Sequence, residues 1–426
     1  MRIFLTGASG FIGGHILQAL LASGHEVVAA VRRPDRFPAR EHCTAVALDF
    51  SLPPAPEQWA ARLQGIDAVI NGVGIIGEDR RSRFDDLHHR GPVALFQACT
   101  EAGVHKVIQI SALGADDTAF SRYHRSKKAA DDFLASTDLD WAILQPSMVY
   151  GAGGASFTLF SALAALPVVP LIGDGSQRLQ PVHVDDVVAA VLRLLQPDSP
   201  RRIRVTLPGP EVVTLAELLS RLRSWLGYRP APVWRVPFGL VLTMGELVGS
   251  LVASPLNGEA LRMLQHGNTG DPAGLTRLLG HPPKSLQNAL TESPARQSER
   301  WHAGMFFLMP ALRYALAFLW IWSGLTSALL FPQSESYALL AEVGVSGIAA
   351  PVALYGLSLL DVALGLAFLA RYRVKLAAAL QVGLMVAYTA IIGILLPHFL
   401  LHPYAPLIKN LPLIVATCLI IVTEES

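Results

Sequence analysis

Met1-Arg2-Ile3-Phe4-Leu5-Thr6-Gly7-Ala8-Ser9-Gly10-Phe11-Ile12-Gly13 opens the chain, and Ile16, Leu17, Leu20 and Leu21 follow at helical spacing. A short apolar run, a glycine-spaced stretch and a helical apolar stripe predict strand, tight turn and helix. Each glycine has a separate reason to be there. Gly7 permits the turn, Gly10 lets the backbone approach a pyrophosphate, and Gly13 lets the helix pack on the strand. The helix N-terminus offers unpaired N–H groups and the positive end of its dipole to an anion. Thr6, Gly7, Ser9, Gly10, Phe11, Ile12 and Gly13 are therefore the expected cofactor cradle.

Working outward, apolar strand-like runs alternate with helical patterns. Strands are expected at 27–31, 45–48 (ending at Asp49), 68–71, 106–111 and 141–144, with helices between them such as 93–102 and 127–136. That alternation specifies an α/β fold, a Rossmann-like doubly wound parallel sheet whose ligands sit at the carboxyl ends of the strands. Asn71 and Ser111 fall at such ends. The second strand ends in Arg32-Arg33, where an acidic residue would bind the ribose 2′-hydroxyl of NAD. Two guanidinium groups suit a 2′-phosphate, so NADP is the expected cofactor and NAD the alternative.

Tyr123 and Lys127 stand four residues apart in Tyr-His-Arg-Ser-Lys. On a helix they share a face. A neighbouring ammonium is expected to lower a phenol from about 10 by roughly 1–3 units, which would suit proton exchange with a carbonyl or alcohol oxygen. Ser111, twelve residues upstream, could hydrogen-bond the same oxygen.

These residues resemble the short-chain dehydrogenase/reductase superfamily in its extended or atypical, epimerase-like branch. The resemblance rests on Thr6 to Gly13, Asp49, Ser111, Tyr123 and Lys127. It also rests on Gln145-Pro146-Ser147-Met148-Val149-Tyr150-Gly151 and Pro181-Val182-His183-Val184-Asp185-Asp186-Val187. It covers residues 1 to about 300. It implies Tyr123 as acid/base, Lys127 as ribose binder and modulator of the phenol, Ser111 as orienter, and Asp49 near the adenine. Gln145 departs from the arginine of many relatives, His88-His89 from a usual asparagine, and Asn71-Gly72-Val73-Gly74 from the usual ending of the fourth strand.

Residues 152–292 are expected to form most of a small substrate lobe. Within it, Val212 to Leu226 reads as a helix begun by Thr214, with Glu217 completing a capping box. Val236 to Ser254 is apolar with Glu246 inside it, and reads as a helix near the membrane or along the substrate cleft. Gly280-His281-Pro282-Pro283 is a loop, and Ser293 to Arg300 a polar linker.

The chain is 426 residues long and only 16% charged, against roughly 25% for soluble domains. The deficit is concentrated after Met305, which sets the main boundary near residue 300. Four transmembrane helices are expected, at about 314–331, 349–370, 376–396 and 407–422, because about 20 apolar residues cross a bilayer. Arg296, Arg300, Arg313, Arg371, Arg373 and Lys375 flank one side, while Glu335 and Glu342 lie in the loop on the other. Both termini are then expected inside, with the N-terminal domain in the cytoplasm and the chain in the cell's inner membrane. No basic and apolar leader precedes the first strand, which agrees with an untranslocated domain. Asp361 lies mid-helix and reads either as helix-packing glue or as a proton or quinone group. Trp320-Ile321-Trp322-Ser323-Gly324-Leu325, Leu360-Asp361, Gly365 and Lys409-Asn410-Leu411-Pro412 resemble the DoxX-like family, which implies a four-helix bundle.

A net charge of +1 gives no case for nucleic acid. Three widely spaced cysteines, and His398 and His402 alone in a loop, suggest neither a disulfide framework nor a metal site. The expected activity is a membrane-anchored, NADP-dependent oxidoreductase acting on a carbonyl or alcohol of a lipophilic, membrane-borne small molecule. The alternatives are an NAD(P)H-binding sensor or assembly subunit without turnover, and an epimerase or dehydratase with regenerated cofactor. The expected partners are the lipid bilayer and either further copies of the chain or a membrane complex.

Overall fold

The computed structural model describes residues 1–52, 54, 56–79, 82–251 and 257–424. The chain divides into two compact units, Met1–Ala303 and Gly304–Ser426.

The first unit is built on β1 (Arg2–Thr6), β2 (Glu26–Val31), β3 (Cys43–Ala47), β4 (Ala68–Asn71), β5 (Lys106–Ile110) and β6 (Asp140–Pro146). Short strands β7 (Val149–Tyr150), β8 (Val169–Ile172), β9 (Arg178–Leu179) and β10 (Val182–His183) come before the seventh strand of the main sheet, β11 (Ile203–Leu207). Strands β12 (Val213–Thr214) and β13 (Val233–Val236) follow it. The main sheet has the order β11-β6-β5-β4-β1-β2-β3, and each of its pairings is parallel. Strand β11 is hard to read from sequence: Ile203-Arg204-Val205-Thr206-Leu207 alternates apolar and polar residues as an edge strand does, without the continuous apolar run of its neighbours.

Parallel strands need crossover helices on both faces. The pleat of β1 shows the division, because successive side chains point to opposite faces. Ile3 and Leu5 pack with Ile16, Leu17 and Leu20 of α1 (Phe11–Ala22), whereas Phe4 packs into the opposite layer. That opposite layer is made by α2 (Pro56–Leu63), α3 (Gly91–Glu101) and α4 (Arg122–Ala135). Beyond the sheet come α5 (Ala155–Ala165), α6 (Val184–Leu194) and α7 (Leu215–Trp225). Thr214 caps α7 and Glu217 closes the capping box, as the spacing predicts. The expected Val236–Ser254 helix is α8 (Phe238–Leu251), and residues 252–254 of that stretch lie outside the described residues. Then follow α9 (Gly258–His266), α10 (Ala273–Leu279), α11 (Leu286–Glu292) and α12 (Gln297–Met305). The expected linker 293–300 is thus partly helical.

The second unit contains α13 (Leu308–Leu325), α14 (Gln333–Glu342), α15 (Ala349–Leu369), α16 (Val374–Leu395) and α17 (Asn410–Thr423). Three helical stretches, Leu308–Leu330, Ala349–Leu369 and Val374–Leu395, are long and apolar enough to cross a membrane. The expected fourth span is a 14-residue helix, α17. At 1.5 Å per residue it reaches about 21 Å, short of a hydrocarbon core of about 30 Å. Pro412 lies in its first turn, where its missing N–H is tolerated, and would lie in the interior of a helix begun further upstream.

Candidate functional site

Strand β1 lies between β4 and β2, where the order of the sheet reverses. This is the switch point at which open α/β sheets bind ligands. Gly7 sits there at φ +71°, and a Cβ on it would lie 2.6 Å from the Gly72 carbonyl oxygen. A Cβ on Gly13 would lie 2.1 Å from the Gly7 carbonyl oxygen. Two of the three glycines are therefore required by backbone packing alone. Gly10 is the N-cap of α1, with no side-chain cap and no acidic residue in the first turn. Ser9 and Gly10 are exposed, and Phe11 and Ile12 half-buried. The positive end of this helix is open to an anion, so the cradle fits a dinucleotide pyrophosphate. Arg32 and Arg33 are exposed just beyond β2, and neither forms an ion pair among the described residues. Asp49 follows β3, half-buried, and accepts the Ser51 N–H at 2.9 Å.

Thr6 and Asn71 occupy the ends of β1 and β4, but their side chains turn inward. Both are fully buried. Thr6 Oγ1 donates to Asn71 Oδ1 at 2.5 Å, and Asn71 Nδ2 donates to Gln109 Oε1 at 2.7 Å. These amides and hydroxyl tie three neighbouring strands together.

Tyr123 and Lys127 lie on α4, whose N-cap Ser121 accepts the His124 N–H at 3.1 Å. Lys127 is 3% exposed, and its Nζ donates to the carbonyls of Ile110 (3.0 Å) and Val73 (3.1 Å). Its ammonium thus bridges β5 to the segment that presses on the glycine turn. Burial lowers Lys127 to about 8, opposed by the charge of Asp131. The phenol behaves differently from the expectation of a lowered pKa. Burial, and then the Asp131 charge, push Tyr123 up to about 12. The reason is that the lysine is committed to two carbonyls while the ring is enclosed by Phe84, His88 and His124, at centroid distances of 5.8, 5.3 and 5.2 Å. Tyr123 is held as a protonated acid.

Ser111 is buried at the end of β5, and its Oγ donates to Asp131 Oδ2 at 2.5 Å. Asp131 is fully buried one helical turn beyond Lys127. Burial raises it to about 6, against the Ser111 hydrogen bond and the Lys127 charge. Gln145 donates to the Ala115 carbonyl at 2.9 Å and reaches Asp131 at 3.5 Å.

Sequence reasoning does not single out Asp131 or Glu259, and it marks His88 only as a departure. His88 is fully buried beside Tyr123 and stacks on Phe84. The Glu259 carboxylate accepts the Tyr123 backbone N–H at 3.2 Å. Glu78, Phe84, Arg122, Glu246, Glu259 and Arg262 line a cavity of about 260 Å³. Arg122 pairs with Glu78 at 2.9 Å and Arg262 with Glu246 at 2.5 Å. Phe84, Arg122 and Glu259 each also border Tyr123, by ring contact, chain adjacency and hydrogen bond. Among the described residues no three His, Cys, Asp or Glu side chains are grouped to hold a metal ion.

Comparison with known proteins agrees with this geometry. Residues 7–160 match the NAD(P)H-binding family model, and residues 317–418 the DoxX-like family. A ceramide reductase of Caulobacter vibrioides is 27% identical over 249 residues, which is 58% of this chain and 77% of that protein. The mitochondrial NADH dehydrogenase [ubiquinone] 1 alpha subcomplex subunit 9 of Arabidopsis thaliana is 29% identical over 238 residues, 53% of this chain and 59% of that subunit. Among solved structures, MoeE5 in complex with UDP-glucuronic acid and NAD matches with TM-score 0.54 and 23% identity, over 68% of this chain and 97% of that one. The UDP-glucuronic acid 4-epimerase of Bacillus cereus in complex with NAD matches with TM-score 0.54 and 20% identity, over 72% and 99%. These two likenesses concern the fold. The chain therefore joins an NAD(P)H-binding Rossmann domain, with epimerase-like structural neighbours, to a C-terminal DoxX-like membrane domain.

Proposed function

We propose that this protein is a membrane-anchored, NADP-dependent oxidoreductase that acts on a carbonyl or alcohol carbon of a lipophilic substrate. The observation that carries the reading is the line of contacts from cradle to acid. Gly7 presses on Gly72, the next residue's carbonyl receives Lys127, and Lys127 shares a helix face with Tyr123. In this reading Ser9, Gly10 and the first turn of α1 hold the pyrophosphate, and Arg32 and Arg33 hold the 2′-phosphate. Asp49 lies near the adenine, and Lys127 binds the ribose. When bound, the nicotinamide exchanges hydride with the substrate carbon. Tyr123, protonated at neutral pH, gives its proton to the substrate oxygen as the carbonyl becomes an alcohol. Lys127 lowers the cost of the phenolate left behind. Ser111 could accept from that alcohol while donating to Asp131. The cavity beside Tyr123 would take the polar part of the substrate.

The lipophilic substrate rests on the membrane domain and on the likeness to a protein named ceramide reductase. The arginine-rich ends of the first and second spans support an inner-membrane protein with a cytoplasmic N-terminal domain. A second reading, cofactor binding without turnover, is favoured by the engagement of Ser111 with Asp131 and by the likeness to a respiratory-complex subunit.

The test is a titration of the detergent-purified protein with NADPH and NADH, followed by NADPH oxidation against long-chain ketones and aldehydes. Turnover that Tyr123→Phe abolishes, with NADPH binding retained, supports the oxidoreductase. Binding with no oxidation of any such substrate would favour the second reading. No binding of either cofactor sinks both.

A further inference from the structure

The first unit carries an apolar, basic surface that the candidate site does not use. After α7 the chain runs Gly227-Tyr228-Arg229-Pro230-Ala231-Pro232-Val233-Trp234-Arg235-Val236 into β13 and then α8. Trp234 is 63% exposed, Leu240 51% and Met244 58%. Leu240 and Met244 stand four residues apart and share one face of α8. Glu246 is turned about 200° from Met244 at 100° per residue, and it pairs with Arg262 at the cavity. The helix is therefore two-sided: one face apolar and open, the other polar and bound to the site. Among the described residues strand β13 pairs with β8 alone, so this segment lies at the edge of a two-stranded sheet.

Two observations bear on what could cover this face. The first is charge. From Gly227 to Gly245 the segment has Arg229 and Arg235, both exposed, and no acidic residue. An apolar face with a Trp and flanking arginines matches the interfacial zone of an anionic bilayer. The second is chain continuity. Trp225 Nε1 donates to the Ser293 carbonyl at 2.7 Å, and a Cβ on Gly227 would lie 3.0 Å from the Arg300 guanidinium. The start of the apolar segment is thus fixed to Ser293 and Arg300, which precede in sequence the first helix of membrane-spanning length.

We propose that β13 and the first turns of α8 dock this unit onto an anionic lipid surface, with Trp234, Leu240 and Met244 in the interface and Arg229 and Arg235 on lipid phosphates. This docking is independent of the proposed chemistry. It places the cavity side of α8 one helix width from lipid, about 10 Å.

The test uses the full chain in nanodiscs containing phosphatidylglycerol. In a Cys43→Ser, Cys418→Ser background, Met244→Cys carries a fluorophore, with Asp138→Cys as an exposed reference. Docking predicts that nitroxide-bearing lipids quench the Met244→Cys label and iodide does not, with the reverse at Asp138→Cys. Arg235→Ala should lower the docked-to-undocked ratio roughly fivefold, the worth of one cation at an anionic lipid surface. Iodide quenching equal to that at Asp138→Cys overturns the proposal. So does protection from both quenchers, which would mean that protein, from this chain or another copy, covers the face. NADPH binding by the labelled protein serves as the check that it is folded.

Discussion

His88 accepts the Ile75 N–H on Nε2 at 3.0 Å, and its Nδ1 lies 3.0 Å from Ser126 Oγ. A backbone N–H can only donate, so Nε2 carries no proton and the ring hydrogen sits on Nδ1, directed at Ser126. Ser126 in turn donates to the Tyr123 carbonyl at 2.8 Å. One neutral imidazole thus joins the loop after β4 to the turn of α4 that carries Tyr123.

That bond makes stability depend on acid. Burial and then Lys127 hold His88 well below its ordinary 6.5. As pH falls through 6.5 the unfolded chain takes up a proton that the folded chain refuses, so this contribution to stability is full above 6.5 and lost below it. His88→Gln keeps an acceptor for Ile75 without titrating. Its melting temperature should fall less steeply below pH 6.5 than that of the wild type, as scanning fluorimetry would show. His88→Ala leaves a half-buried N–H without this acceptor, at a cost of about 1 kcal/mol at every pH. Parallel pH profiles for wild type and His88→Gln would refute the assignment.

Lys127 predicts a slope of the same sign at the alkaline end. Its folded value is about 8 against an ordinary 10.5. Between these limits the unfolded chain holds the proton and the folded chain has released it. Stability therefore rises with pH across that window, by up to about 3 kcal/mol, and the gain is absent below it. Lys127→Met should remove the rise and stabilise the cofactor-free protein near neutrality, while weakening cofactor binding. The measurement is chemical denaturation across that pH range, and an unchanged alkaline slope in Lys127→Met would assign the effect elsewhere.

Much of this framework is legible because it is local. The glycine spacing, the apolar runs of β1, β2, β4 and β5, and the Thr214–Glu217 capping box each follow from residues within a dozen positions. The shared face of Tyr123 and Lys127 follows from spacing as well. What stays hidden depends on tertiary partners. Nothing adjacent to Lys127 signals that its ammonium meets Val73 and Ile110, fifty-four and seventeen residues away, so spacing alone gives the wrong direction for the phenol shift. Thr6 and Asn71 look like strand-end donors, yet their side chains satisfy one another across the sheet. The expected fourth span includes Leu407 and Ile408, but the helix starts only at Asn410, after both of them.

Arg32 and Arg33 provide the test of cofactor choice. Both are exposed, free of ion pairs among the described residues, and placed where β2 ends at the switch point. A hydrogen bond to a charged group contributes about 1.5–3 kcal/mol, so Arg32→Ala should weaken NADPH by about 10- to 100-fold. NADH, which has no 2′-phosphate, should bind the variant nearly as it binds the wild type. Equal losses for both cofactors in nicotinamide-fluorescence titrations would mean that these arginines do not read the 2′-position.

In the membrane domain, Gly324 and Gly365 set the approach of α13 and α15. A Cβ on Gly324 would lie 2.4 Å from the Ser358 carbonyl oxygen, and one on Gly365 would lie 2.7 Å from that of Ala317. Without a hydrophobic driving force between helices in lipid, such backbone proximity is a main source of packing energy. A Cβ on Gly356, also in α15, would meet nothing within 4 Å among the described residues. Gly365→Leu must push the helices apart, at a cost of at least the roughly 1–3 kcal/mol of an overpacked core. It should lower the detergent-solubilised melting temperature and broaden the size-exclusion peak, while Gly356→Leu should do neither. Because residues 7–160 form the NAD(P)H-binding region, NADPH affinity should survive both substitutions. Equal tolerance of the two leucines would mean that the glycine contact does not govern the association of these helices.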